Sequence, residues 1–193
     1  MSRFARAFDV VGACAGLVVF APVMAIAITA VLIDDGRPVL FRQQRLGYRR
    51  RPFSILKIRT MRDGRTTRVG RVLRATGLDE ITQFINILSG DMSAVGPRPL
   101  TGADVRSLGW TGVEFDFRWE RKPGLTGLAQ IVGAPTMRDA LELDRTYTAA
   151  GWNPLIDCEL IALSFAVNVF GKTRVQRTLR RSTFARALSA GNR

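Results

Sequence analysis

Histidine is absent from all 193 residues. That removes His-based nucleophile triads, His general bases and His-ligated zinc or haem, and leaves carboxylates, Lys, Arg or a thiol for any catalysis. Cysteine is nearly absent. Cys14 and Cys158 lie in apolar stretches without metal-ligand spacing and read as buried structural thiols. Acidic residues are scarce, 16 against 29 Lys and Arg, so the formal net charge is +13. Such a surplus points to a polyanionic partner: nucleic acid, an anionic membrane surface or phosphorylated substrates. Internal repeats and low-complexity linkers are missing too. What is present is 47% apolar composition, which argues against disorder, in a length that suits one domain with or without an appendage.

The apolar residues concentrate near the N-terminus. No residue from Val10 to Ile33 is charged, a run long enough to cross a hydrocarbon core of about 30 Å as a helix. It is too long for a cleaved signal peptide and lacks a small-x-small cleavage site before a polar region. Pro22 near its middle removes a backbone hydrogen bond. Arg3 and Arg6 precede the run, and Arg37, Arg42, Arg45 and Arg49 to Arg51 follow it. Positive flanks stay cytoplasmic, so a re-entrant helix-break-helix hinged at Pro22 fits best. An ordinary span and a buried globular helix are the alternatives, and Asp34 and Asp35 weaken the charge argument slightly.

Beyond the run the chain turns soluble in character. Val39–Phe41 and Phe53–Ile58 are strand candidates around a turn at Gly47, and residues 61–74 read as an Arg-rich loop entering a helix. Leu78, Ile81, Phe84, Ile85 and Leu88 mark one helical face that Ser89-Gly90 closes. Thr76 or Gly77 would cap that helix and put Asp79 and Glu80 in its first turn. Pro97 and Pro99 bracket Arg98 in an extended or turn geometry, and residues 122–127 form a second rigid turn displaying Lys122. Residues 139–147 suit a short polar helix, and Asn153-Pro154 opens a nearly all-apolar one that Gly171 stops. That last helix suits burial at a membrane interface or under the domain. The segment 172–193 carries seven basic residues and no acid.

Adjacent carboxylates at a helix start ordinarily only complement the helix dipole. Here Arg74 lies five residues before Asp79, and Arg98 follows the same helix in its Pro-bracketed turn. A carboxylate pair among cations suits a divalent metal on phosphates with guanidinium forks gripping the oxygens, or a carboxylate nucleophile in phosphoryl chemistry. Arg98 could equally be a structural carbonyl-binding arginine.

Taken together, nine segments in order resemble the bacterial sugar transferase family, the monotopic polyprenyl-phosphate phosphoglycosyl transferases. They are Arg6-Ala7-Phe8-Asp9, Phe20-Ala21-Pro22, residues 41–47, residues 53–61, Leu73-Arg74, residues 78–83, residues 90–99, Lys122 to Gln130, and Glu142-Leu143-Asp144. The resemblance implies an α+β fold: a re-entrant membrane helix hinged at Pro22 (1–36), a small, mostly helical cytosolic catalytic domain with a short β-hairpin and interfacial amphipathic helices (37–171), and a basic tail (172–193). It implies that Asp79, at the metal position for Mg²⁺, attacks the β-phosphate of a nucleotide-sugar, a UDP-sugar by expectation, and releases UMP. Undecaprenyl phosphate then takes the sugar-1-phosphate from the covalent aspartate. Glu80 would assist, and Arg98, Arg74, Lys57, Asp144 and Lys122 would bind substrate or order the site. Partners would be nucleotide-sugar, polyprenyl phosphate, inner-membrane lipids and downstream glycosyltransferases, at the cytoplasmic face of the bacterial inner membrane, in a first membrane step of glycan assembly. Departures from the family pattern are Ala21, Thr82, Leu128, Lys122 and a short 62–71 segment. The competing readings are a membrane-anchored basic nucleic-acid-binding protein and an inactive scaffold. No stacking motif or recognition helix supports nucleic acid.

Overall fold

A computed structural model describes residues 2–171. The basic segment 172–193 lies outside the described residues. Helix α1, Arg3–Asp35, is 33 residues long, about 50 Å at 1.5 Å per residue. It is the one helix among the described residues long and apolar enough to cross a membrane. Its polarity is inverted relative to a soluble surface helix. Small residues, Ala5, Ala13, Gly16 and Ala27, face the rest of the protein, while Val11, Val18, Val19, Ile26 and Ile33 point outward and are exposed. A Cβ on Gly16 would collide with the Phe84 ring, so the small stripe is what lets the helix lie close.

The helix is continuous through Pro22, where two helices separated by a break were expected. A proline forfeits one backbone hydrogen bond and can bend the axis, but flanking residues that favour helix keep the segment helical. Both ends of α1 are tied to the same domain. At the start, Arg6 donates to the carbonyls of Ile87 and Leu88, at 2.5 and 2.7 Å, and Asp9 accepts from Ser93 Oγ at 2.8 Å and the Ala94 amide at 2.9 Å. At the end, Asp35 pairs with Arg59 at 2.6 Å and Arg62 at 3.1 Å, and Asp34 accepts from the Val69 amide.

Strands β1 (Leu40–Leu46) and β2 (Pro52–Ile58) form an antiparallel hairpin with Phe41 opposite Lys57 and Arg45 opposite Phe53. The segment expected as a loop instead holds a two-residue hairpin, β3 (Met61–Arg62) and β4 (Arg65–Thr66), turned by Asp63-Gly64. Helix α2, Arg68–Thr76, starts on the Thr67 side-chain cap and ends at Gly77 in the left-handed conformation. The single capped helix expected from Leu78 onward is divided. A 3-10 turn, Leu78–Glu80, precedes helix α3, Gln83–Ser89, and neither has a side-chain N-cap.

The division has a packing cause. Polar residues on α3 turn inward to serve the free edge of β2: Asn86 accepts from the Leu56 amide at 2.9 Å and donates to the Ser54 carbonyl at 2.8 Å, and Thr82 Oγ1 donates to the Leu56 carbonyl. The α3 face opposite the apolar one is therefore buried as well.

The turn expected at 122–127 contains strand β6, Gly124–Thr126, which pairs in parallel with β5, Ser93–Val95. A Cβ on Gly96 would overlap the Lys122 carbonyl, and one on Gly124 would overlap the Gly96 amide, so both glycines are required by the close crossing. Helices α4 (Gly102–Ser107), α5 (Leu128–Val132), α6 (Met137–Ala149) and α7 (Pro154–Phe170) complete the α+β arrangement. Leu160 on α7 joins a core with Val95, Leu128, Ile131 and Tyr147, while Leu155, Phe165 and Phe170 are exposed. Phe165 stacks on Phe20 of α1. Cys14 and Cys158 are both exposed, contrary to the expectation of burial, because each sits on the outward side of α1 or α7.

Candidate active site

Gly77 reverses the chain out of α2, and the 3-10 turn after it carries Asp79 with only 9% exposure. Glu80, next in the turn, makes a short ion pair with Lys57, which β2 brings from the sheet. Burial and the neighbouring Glu80 carboxylate push the Asp79 carboxyl above the ordinary aspartate range, against the pull of Lys57 and Arg74. Arg74 stands exposed in the last turn of α2, close enough to act on Asp79 by charge.

A narrow cleft, with room for about one water, opens beside this turn, lined by Arg45, Lys57, Glu80, Gln83, Arg98 and Gln130 among others. The structure thus brings Glu80, Lys57 and Arg98 to one cleft, while Asp79 precedes Glu80 in the 3-10 turn and is not among the lining residues. Arg98 is exposed, and its side chain makes no hydrogen bond or ion pair among the described residues. The structural alternative for Arg98 is occupied by other arginines. Arg118 Nη2 donates to the Arg98 carbonyl at 2.5 Å, and Arg45 Nη1 donates to the Pro99 carbonyl at 3.3 Å. Two guanidinium groups hold the backbone of the Pro-bracketed turn, and the third has no such partner among the described residues. Arg45 is itself held by Gln43 and Asp104, while burial and the nearby Arg98 lower its pKa.

Asp144 and Lys122 are placed elsewhere. Asp144 is buried in an ion pair with Arg118, 2.9 Å from Nε, so it meets the cleft only through the Arg98 turn. Burial raises the Asp144 pKa against the opposing effect of Arg118. Lys122 lines a different cavity with Tyr48, Glu120, Arg121, Tyr147 and Trp152, where burial and Arg6 lower its pKa. Pro22 lies in α1, two residues from Phe20, whose ring stacks on Phe84 of α3.

Arg45, Gln83, Gln130 and Arg118 were not singled out from the sequence. Gln83 and Gln130 sit in apolar helical stretches, and a buried polar residue there is a signal only once its neighbours are known. Among the described residues no cluster of three or more His, Cys, Asp or Glu forms a metal cage. Mg²⁺ does not need one, since it binds through one or two carboxylates plus substrate phosphates and water. The crowded Asp79-Glu80 pair fits that donor set, because a cation relieves the repulsion that raises Asp79.

A family model described as bacterial sugar transferase matches residues 1–171. UDP-glucose:undecaprenyl-phosphate glucose-1-phosphate transferase of Caulobacter vibrioides is 42% identical over 159 residues, covering 75% of this chain and 60% of that protein. The protein of the same name from Escherichia coli is 39% identical over 151 residues, covering 71% of this chain and 32% of that one. The uncharacterized sugar transferase EpsL of Bacillus subtilis is 36% identical over 173 residues, covering 82% of this chain and 84% of its own length. The chain therefore spans less than two thirds of the first two relatives and most of the third.

Proposed function

The chain belongs to the bacterial sugar transferase family, and on that premise we propose that it transfers a sugar-1-phosphate from a UDP-sugar to undecaprenyl phosphate through a covalent aspartate. The observation that carries this reading is a buried carboxylate, Asp79, adjacent in the chain to Glu80, which pairs with Lys57 and lines a narrow cleft with the unpaired Arg98.

In the first step an Asp79 carboxylate oxygen attacks the β-phosphorus of the UDP-sugar. The bond between that phosphorus and the bridging oxygen breaks, and UMP leaves with the electron pair. In the second step a phosphate oxygen of undecaprenyl phosphate attacks the same phosphorus, and Asp79 departs as a carboxylate. Arg98 offers a two-pronged donor to the diphosphate oxygens, and Lys57 adds a fixed positive charge beside Glu80. Mg²⁺, held by Asp79 with Glu80 alongside, would neutralise charge on the diphosphate so that an anionic nucleophile can approach. Arg74 draws Asp79 towards its ionised, nucleophilic form.

Because α1 is continuous and both its ends bond to one domain, we favour a placement with both ends on the cytoplasmic face of the inner membrane and the outward Val and Ile side chains in lipid. A straight crossing of about 50 Å would carry Arg6 and Asp9 away from the residues they bond. The exposure of Leu155, Phe165 and Phe170 supports an interfacial position for α7 as well. The lipid acceptor then reaches the cleft from the bilayer and the nucleotide from water, and the product passes to downstream glycosyltransferases.

The test is release of UMP by the membrane-reconstituted chain with Mg²⁺, undecaprenyl phosphate and each of UDP-glucose, UDP-galactose and their N-acetylamino counterparts. Release with one donor, abolished in Asp79→Asn together with lipid-independent exchange of labelled UMP, supports the reading. Wild-type exchange in Asp79→Asn would overturn the covalent aspartate, and silence with every donor would overturn the activity.

A further inference from the structure

Leu56 sits opposite Arg42 in the β1–β2 pairing, yet both of its backbone polar groups bond to the segment that follows the 3-10 turn. Its amide donates to Asn86 Oδ1 at 2.9 Å, and its carbonyl accepts from Thr82 Oγ1 at 3.1 Å. Asn86 Nδ2 also donates to the Ser54 carbonyl at 2.8 Å. Thr82 is 2% exposed and Asn86 4%, so these bonds are shielded from water, and loss of one partner strands the other. The residue after Leu56 is Lys57, and Glu80 stands two residues before Thr82. Lys57 and Glu80 are ion-paired. Residues 80–86 therefore grip residues 54–57 at the Lys57 side chain and at the backbone just before it.

The apolar packing between the two segments does not fix their offset. Ile55 shares a core with Ile87, and Ile58 shares one with Ile81, but burial of apolar surface is non-directional and tolerates small slides. Hydrogen bonds tolerate them poorly, because they weaken steeply with misalignment. Strand residues rise about 3.3 Å each and alternate faces, so a slide of one residue would turn Lys57 away from Glu80. The ion pair does not hold the register by itself. Both partners are half-buried, and two long side chains lose rotamer freedom to meet in one geometry.

We propose that Asn86 and Thr82 are positioning residues for the reaction: by fixing the offset between β2 and the 3-10 turn they hold Lys57 against Glu80, where its charge meets the diphosphate of the nucleotide-sugar. The inference rests on the transferase reading above. Both residues act through Lys57, without a part in bond making.

The experiment uses the full chain in a fixed detergent. Thr82→Val keeps the shape of the side chain and removes its hydrogen-bond donor, Thr82→Ser keeps that donor, and Asn86→Leu removes both amide bonds. The first readout needs no turnover: labelling of Lys57 by an amine-acylating reagent, measured against Lys122 by mass spectrometry. Thr82→Val and Asn86→Leu should raise Lys57 labelling severalfold, and Thr82→Ser should leave it at the wild-type level. The second readout is the rate of UMP release against UDP-sugar concentration. Thr82→Val and Asn86→Leu should raise KM about fivefold, the order of one lost hydrogen bond, and Thr82→Ser should again match wild type. A mere loss of folded protein lowers kcat and leaves KM unchanged. Wild-type labelling of Lys57 in Thr82→Val overturns the proposal, and so does a rise in labelling with KM unchanged. If Asn86→Leu fails to fold in thermal melting, the two Thr82 variants decide. Failure of the transferase reading is distinct: wild type itself would then release no UMP, while the labelling comparison still shows whether Thr82 and Asn86 hold Lys57.

Discussion

Arg118 and Asp144 form an ion pair in which both residues are 5% exposed, and the same guanidinium donates to the carbonyl of Arg98. Removing one member of a buried pair strands the other, at a cost of about 3–5 kcal/mol. Asp144→Ala should therefore lower stability by that order in chemical denaturation. Arg118→Lys keeps the charge but cannot reach Asp144 and Arg98 together. It should melt only slightly lower and raise KM for the nucleotide-sugar more than it lowers kcat. In an Arg98→Ala background the same substitution should leave KM unchanged, because its effect passes through Arg98.

The acid limb of activity should reflect the raised pKa of Asp79. Asp79 must be ionised to attack, so turnover falls as pH drops, beginning above the range of an ordinary aspartate. Glu80→Gln removes the like charge that raises Asp79 and frees Lys57 to favour its ionised form. The limb should move to lower pH even as the rate falls, as read by pH profiles of UMP exchange. Movement to higher pH would contradict the stated coupling.

Stability should follow the same linkage. The folded pKa of Asp79 lies above its unfolded value, so its contribution is fully present below the unfolded pKa and is lost as pH rises through the folded pKa. At neutral pH the ionised carboxylate is a penalty. Asp79→Asn should melt higher than wild type at pH 7, and the gap should close as pH falls below the ordinary aspartate range.

Asp9 holds the start of α1 to β5 through Ser93 Oγ and the Ala94 amide. Asp9→Ala leaves that amide without its acceptor and should cost about 1–3 kcal/mol. Asp9→Asn retains a carbonyl oxygen and should cost less. Denaturation in a fixed detergent compares the two.

Topology is read by an impermeant thiol reagent on intact cells. With Cys14 and Cys158 replaced by Ser, Ser2→Cys and Arg51→Cys should be equally protected, since both ends of α1 lie on one side. Labelling at residue 2 alone would require a crossing helix.

The parts of the site that were legible are contiguous in the chain. Asp79-Glu80 and the Pro97-Arg98-Pro99 turn each carry their chemistry within a few residues, and proline restricts backbone geometry before any packing occurs. The long apolar run and the Asn153-Pro154 cap were legible for the same reason. Thr82, Gln83 and Asn86 were not. Periodicity marks the apolar face of a helix, and nothing local shows that the opposite face is buried because it satisfies the open edge of β2.

Sequence by itself determined the family, the apolar α1 and the residues that carry the charges. Only tertiary structure decided which cations are free. Arg45, Arg98 and Arg118 are chemically alike, and a guanidinium becomes structural or available according to the carbonyls and carboxylates within about 3 Å of it. Apart from Gln43, two residues from Arg45, those partners come from residues 20 to 59 positions away. Packing also separated Lys122 and Asp144 from the cleft, because long-range contacts form only when distant segments fold onto one another.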